Sequence, residues 1–195
     1  RMAEPEHSVP AGARPARARG TGVRRATVIG AGSFGTALSV LLLRGGLRTT
    51  LQTRTAEQAA VLLRERQNEV YLPGVELPPA LRVEAAGGDV SRSDFVFLAV
   101  PSRSLGEVIS GIEGSALWAR AAIVSVAKGL VPPAGTPPSM VLAARFGAHR
   151  AACLGGPAHA HEMVDAGAAL VAAASDEDLA RALAAVFTRA GVVCE

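Results

Sequence analysis

Lysine is nearly absent from this sequence. The chain carries 20 Lys and Arg residues, and Lys128 is the one lysine among them. The arginine and alanine bias looks like base composition as much as function, so single arginines are weak pointers to phosphate or nucleic acid. Aromatic residues are scarce too, at 4%, and the core must be built mostly of Ala, Val and Leu. Trp118 has no aromatic company and reads as packing rather than as part of a stacking platform. The two cysteines, Cys153 and Cys194, form no CxxC pair and no metal spacing. Each lies in an apolar, strand-like run, which points to buried free thiols. No apolar run reaches the roughly 20 residues of a membrane span, and no signal-peptide core is present. A soluble, cytoplasmic protein is the default reading.

What charge there is lies unevenly. The net charge is +3, yet residues 1–25 hold six arginines against Glu4 and Glu6, so the tail alone exceeds the total. The body is close to neutral. A basic tail can touch nucleic acid or an acidic membrane. The plainer reading, adopted here, is a disordered Pro/Ala/Gly/Arg-rich leader over residues 1–24, with no nucleic-acid partner and no stable membrane insertion. Residues 25–195, within a chain that is 49% apolar, suffice for one sizeable domain.

Past the leader the chain alternates between strand and helix patterns. Strands are expected at 26–29, 47–53, 81–84, 94–100, 121–126, 151–154, 168–173 and 192–194. Helices are expected at 36–44, 56–66, 102–112, 139–146 and 176–190, the last with Ser175 as N-cap. The stretch Gln67–Leu81, with three prolines and a glycine, reads as irregular. Asp94–Val100 is continuously apolar after its first residue, as in a strand buried on both faces. Strands and helices in alternation with short links imply an α/β fold: a doubly wound, mostly parallel sheet with helices on both faces.

Gly30-Ala31-Gly32-Ser33-Phe34-Gly35 is a GxGxxG turn directly after the first strand and before the first helix. Gly30 permits the tight turn, Gly32 lets a pyrophosphate approach the backbone, and Gly35 lets helix and strand pack closely. The free N–H groups of the helix start then meet the phosphates. The second strand ends Leu51-Gln52-Thr53-Arg54, without an acid for the adenine ribose before Glu57. Arg54 would attract a 2′-phosphate or stack on adenine. The cofactor reading is therefore NADP tolerated or preferred, with NAD open.

Ligands of such sheets sit beyond the carboxyl ends of the strands. Val100-Pro101-Ser102, Lys128 and Gly156-Pro157-Ala158 each follow a predicted strand. An ammonium there can polarise a carbonyl during hydride transfer and share a proton with a hydroxyl, which an always-protonated guanidinium does poorly. Lys128 is thus the candidate catalytic residue, against an exposed strand-end charge as the plainer alternative. His159 and His161 suggest a metal pair only if the segment is extended, and no third ligand is evident nearby, so no metal is expected.

Together these segments resemble the N-terminal half of NAD(P)-dependent glycerol-3-phosphate dehydrogenases. "GAGSFGTAL" is similar to the family's opening fingerprint, and "NEVYLPGVELPPAL" to its Asn-x-x-Tyr-Leu-Pro-Gly segment. "AVPS" and "AKGL" follow in the family order, and "GGPAHAHE" is similar to its Ser-Gly-Pro-Ser-Phe-Ala-x-Glu segment. The resemblance implies reduction of dihydroxyacetone phosphate to sn-glycerol 3-phosphate, or the reverse. The glycine motif and the strand-end placement give cofactor contacts at Gly30, Gly32, Gly35 and Pro101, and the resemblance implies further ones at Ser33, Phe34, Arg54, Lys128 and Ala160. It implies substrate contacts at Lys128, Gly156 and Ala158, and leaves room for a homodimer of the full-length enzyme. Ala158 and His159 depart from the family's serine and aromatic residue, which bears on substrate affinity or on the choice of polyol phosphate.

The resemblance also implies a second lysine, acting as proton donor and acceptor, in a C-terminal helical domain. This chain has no second lysine and closes just after an apolar run, so it is expected to be incomplete. With dihydroxyacetone phosphate and NADPH the chain alone is expected to bind nucleotide and consume almost none of it. Robust NADPH loss, followed by absorbance, would overturn that expectation. Other readings are a ketopantoate reductase, a sugar-nucleotide dehydrogenase, or a non-catalytic dinucleotide-binding module. Tyr71-Leu72-Pro73-Gly74 and the placement of Lys128 argue against the first two.

Overall fold

The computed structural model describes residues 24–113, 121–165 and 168–195. The basic leader, apart from Arg24, and Trp118 lie outside those residues. Eight strands form one sheet. In chain order they include β1 (Arg25–Ile29) and β2 (Arg48–Thr53), with the first helix, α1 (Ser33–Arg44), between them. Helix α2 (Ala56–Glu65) leads to a separate hairpin, β3 (Gln67–Asn68) with β4 (Leu72–Glu76), and then to β5 (Arg82–Ala85). Strands β6 (Phe95–Leu98), β7 (Ala122–Ser125) and β8 (Ala151–Gly155) follow, separated by α3 (Leu105–Glu113) and α4 (Pro138–Phe146). After α5 (Ala160–Asp165) come β9 (Ala169–Ala174), α6 (Glu177–Arg189) and β10 (Val193–Cys194). The sheet order is β10-β9-β8-β7-β6-β1-β2-β5. All pairings are parallel except β8 with β9.

Side-chain alternation along the strands divides the apolar residues between two layers. In β6, Phe95 and Phe97 join the cluster shared with α1 and α6, while Val96 and Leu98 join Leu105, Ile109 and Ile112 of α3 and Leu142 of α4. In β7, Val124 faces the first layer and Ile123 the second. A strand used on both faces must be continuously apolar, which is why β6 reads as it does. The few aromatics are concentrated: Phe97 meets Phe187 of α6 edge to face, ring centres 6.4 Å apart, and Phe95 at 6.2 Å. Helix α1 is buried from Gly35 through Leu42, because α5, α6 and the hairpin cover the side that a surface helix would show to water. Burial raises both thiols, Cys153 and Cys194, above the ordinary cysteine range and keeps them protonated. Among the described residues no helix is long and apolar enough to cross a membrane.

Several local expectations are corrected. Helix α1 begins at Ser33, not Thr36, so half of the glycine motif is its first turn. The stretch after α2 is not irregular. Arg66 turns the chain with φ 51°, and its guanidinium donates to the carbonyls of Leu77, Pro78 and Leu81, closing the β3–β4 hairpin. Pro73 is tolerated because β4 is an edge strand. Asp176, not Ser175, caps α6: its carboxylate accepts from Leu179 N–H at 3.0 Å, the third helical position, which a cap must reach.

Candidate dinucleotide-binding site

The sheet order places the site. From β1 the chain moves outward to β2 and β5, then returns to the other side of β1 as β6. The segments leaving β1 and β6 at their carboxyl ends therefore diverge and leave a crevice between them. The glycine turn follows β1, Ala99-Val100-Pro101 follows β6, and Val126-Ala127-Lys128 follows β7, the next strand. These three segments line one cleft of about 350 Å³, together with Tyr71 from the hairpin.

The three motif glycines do different work. Gly30 holds φ +112°, and a Cβ there would lie 2.3 Å from the Ala99 carbonyl oxygen. Its N–H donates to the Gln52 carbonyl at 2.9 Å, and Ala99 N–H donates to Ile29 at 2.8 Å, so β2, β1 and β6 are pinned together at this level. A Cβ on Gly35 would lie 1.9 Å from the Gly30 oxygen, which is what brings α1 down onto the turn. At Gly32 a Cβ would meet nothing within 4 Å: this position faces open space on the cleft wall. Gly32 is the N-cap of α1 and has no side chain to satisfy the helix. The first helical bond runs from Thr36 N–H to the Gly32 carbonyl at 2.9 Å, which leaves the N–H groups of Ser33, Phe34 and Gly35 facing the helix's amino end. No acid sits in that first turn, so the positive end of the helix dipole is unopposed. Room at Gly32 and unspent donors beside it fit a pyrophosphate. A larger groove of about 440 Å³ lies at the other end of the sheet, against Gly45 and Gly46. There α1 presents its carbonyl end, the wrong polarity for a phosphate.

Helix α2 starts just past the carboxyl end of β2. Thr55 caps it by accepting from Gln58 N–H at 3.2 Å. The Glu57 carboxyl is held below the usual range by bonding to its own backbone N–H and to the Thr55 hydroxyl. Arg54 is exposed at the end of β2, its backbone N–H on Gln58 Oε1 at 3.3 Å, and it makes no ion pair among the described residues.

Of the sequence-predicted residues, the cleft gathers Gly32, Ser33, Phe34, Gly35, Pro101 and Lys128. Gly30 lies beneath it. Lys128 is exposed and makes no ion pair among the described residues, so its ammonium is not spent elsewhere. Gly156, Ala158 and Ala160 are not on the cleft wall. Gly156 has φ +152°, where a Cβ would lie 2.4 Å from the Ala169 carbonyl oxygen; Ala158 is buried in the main apolar cluster, and Ala160 opens α5. The segment after His159 is helical, so His159 and His161 diverge rather than share a face. Sequence reasoning did not single out Tyr71 as a wall of the cleft, although it lies in the quoted "NEVYLPG" segment.

Fold and site define a class: a Rossmann-like domain with its glycine turn at the topological switch point. Comparison with known proteins narrows this. The family model described as NAD-dependent glycerol-3-phosphate dehydrogenase N-terminus matches residues 25–180, and the chain belongs to that family. It is 40% identical over 159 residues to a glycerol-3-phosphate dehydrogenase (NAD(P)+) of Deinococcus radiodurans, covering 80% of this chain and 46% of that protein. To the enzyme of the same name from Thermus thermophilus it is 38% identical over 172 residues, covering 84% and 50%. The chain thus spans about half the length of the curated relatives it matches. The solved structure of Plasmodium falciparum glycerol-3-phosphate dehydrogenase has the same fold, with a TM-score of 0.80 at 18% identity over 89% of this chain and 52% of that one.

Proposed function

We propose that this chain is the cofactor-binding half of an NAD(P)-dependent glycerol-3-phosphate dehydrogenase that interconverts dihydroxyacetone phosphate and sn-glycerol 3-phosphate. The observation that carries this reading is the joint presence, on one cleft, of the open Gly32 position at the start of α1 and the exposed Lys128, which makes no ion pair among the described residues. The backbone N–H groups of Ser33, Phe34 and Gly35 would hold the pyrophosphate, and Pro101 would border the path toward the nicotinamide. When bound, the dinucleotide supplies or accepts the hydride. Lys128 Nζ would place positive charge at the substrate carbonyl oxygen, where negative charge develops as the hydride arrives. Gly156, Ala158 and Ala160 belong to the substrate and cofactor contacts in this reading through the motif they occupy. A cytoplasmic location and a homodimer of the full-length enzyme are part of the same proposal.

The test is a titration of the chain with NADH and NADPH, wild type against Arg54→Ala. Both nucleotides are expected to bind the wild type. The substitution is expected to weaken NADPH by about tenfold, the size of one lost charge-assisted contact, and NADH by less than about twofold. Absence of binding by either nucleotide would overturn the site. An equal loss for both would remove the 2′-phosphate reading of Arg54.

A further inference from the structure

The "NEVYLPG" segment supplies more than a cleft wall. Asn68, at the end of β3, is 3% exposed and points its amide beneath the glycine turn. Its Nδ2 donates one hydrogen to the Ala31 carbonyl at 3.1 Å and the other to Thr36 Oγ1 at 2.8 Å. Only the nitrogen end can face a carbonyl oxygen, so the amide orientation is set by its partner. Gln58 Nε2 donates to the same Ala31 oxygen at 3.3 Å. Two elements remote in sequence, the hairpin and α2, thus hold one carbonyl of the turn. Across a planar trans peptide the C=O and the next N–H point in opposite directions. Drawing the Ala31 oxygen inward therefore turns the Gly32 N–H outward, toward the cleft that Gly32 lines.

We propose that Asn68 is a positioning residue for the dinucleotide: it aims the Gly32 amide at the pyrophosphate by anchoring the Ala31 carbonyl, with Gln58 as a second anchor. The inference rests on the dinucleotide reading of the cleft. A merely structural asparagine would affect stability alone. An aiming asparagine affects the affinity of protein that is already folded, because a free peptide plane must be re-ordered on binding.

The experiment titrates NADH into the full chain as wild type, Asn68→Ala, Gln58→Ala and the double variant, with a thermal unfolding scan of each. Asn68→Ala is expected to raise the NADH Kd about tenfold at a temperature where it is folded. Gln58→Ala, which alters a partly exposed helix position, is expected to raise it about threefold with little change in Tm. Because both hold one carbonyl, the double variant is expected to lose more than the product of the two. A lowered Tm with an unchanged Kd for Asn68→Ala would overturn the proposal. So would an unchanged Kd for Gln58→Ala if Asn68→Ala does not fold. Failure of the wild type itself to bind NADH would instead overturn the dinucleotide reading, and is recognised before any substitution is compared.

Discussion

Gly35→Ala is expected to destabilise the domain by about 3 kcal/mol or more, the upper range for overpacking a rigid site. A single added methyl is rarely so disruptive in a helix, where alanine is normally the better residue. Here its carbon would sit 1.9 Å from the Gly30 carbonyl oxygen and 2.9 Å from the Ala99 Cβ. Neither neighbour is the loose end of a long side chain. Gly30 is held in place, because its N–H donates to the Gln52 carbonyl at 2.9 Å and Ala99 N–H donates to the neighbouring Ile29 carbonyl at 2.8 Å. The helix cannot lift away easily either: Leu38, Leu41 and Leu42 are fully buried. The strain must be relieved by moving α1 off β1 and β6, against which it packs in the main apolar cluster. Urea unfolding of the variant beside the wild type measures the effect. A midpoint unchanged within error would mean that α1 does not sit on the turn in solution.

The architecture was legible where one pattern had one physical cause. The all-apolar β6 run could only be a strand covered on both faces, and Phe97 and Leu98 duly point into different layers. The glycine turn was legible because each of its glycines meets a separate backbone requirement. Other features depended on partners distant in sequence. The hairpin is closed by Arg66 reaching carbonyls as far on as Leu81, which no local propensity reports. The start of α1 was hidden because Ser33-Phe34-Gly35 has poor helix formers that are held helical by the close approach to Gly30. The antiparallel turn of β9 leaves no trace in its Ala- and Val-rich sequence. In the candidate site, Lys128 was visible by its rarity. Asn68 was visible only as part of a resemblance, because its role depends on where the hairpin packs against the turn. Ala158 shows the converse: a motif position named for a ligand contact has its small side chain in the apolar cluster.

The other large effect is expected three residues earlier, at Gly32, and it has the opposite character. Gly32→Ala should leave the domain folded and remove most of its affinity for NADH and NADPH alike. The backbone at Gly32, φ −77° and ψ −175°, is open to any residue, and the new methyl would meet nothing within 4 Å. The stability cost is therefore confined to a poorer N-cap, about 1 kcal/mol or less. The methyl would, however, stand on the cleft wall at the positive end of α1, where the pyrophosphate must come within hydrogen-bonding distance of backbone N–H groups. A ligand displaced by one methyl loses several of those bonds together, and a loss of about a hundredfold, near 2.7 kcal/mol, is the expected result. Unlike Arg54→Ala, the change should not distinguish the two nucleotides, because both carry the same pyrophosphate. Paired titrations with an unfolding scan separate the possibilities. Unaltered affinity in a folded Gly32→Ala variant would place the phosphates away from α1, and with them the whole assignment of the cleft; loss of folding instead would mean that the space beside Gly32 is already filled.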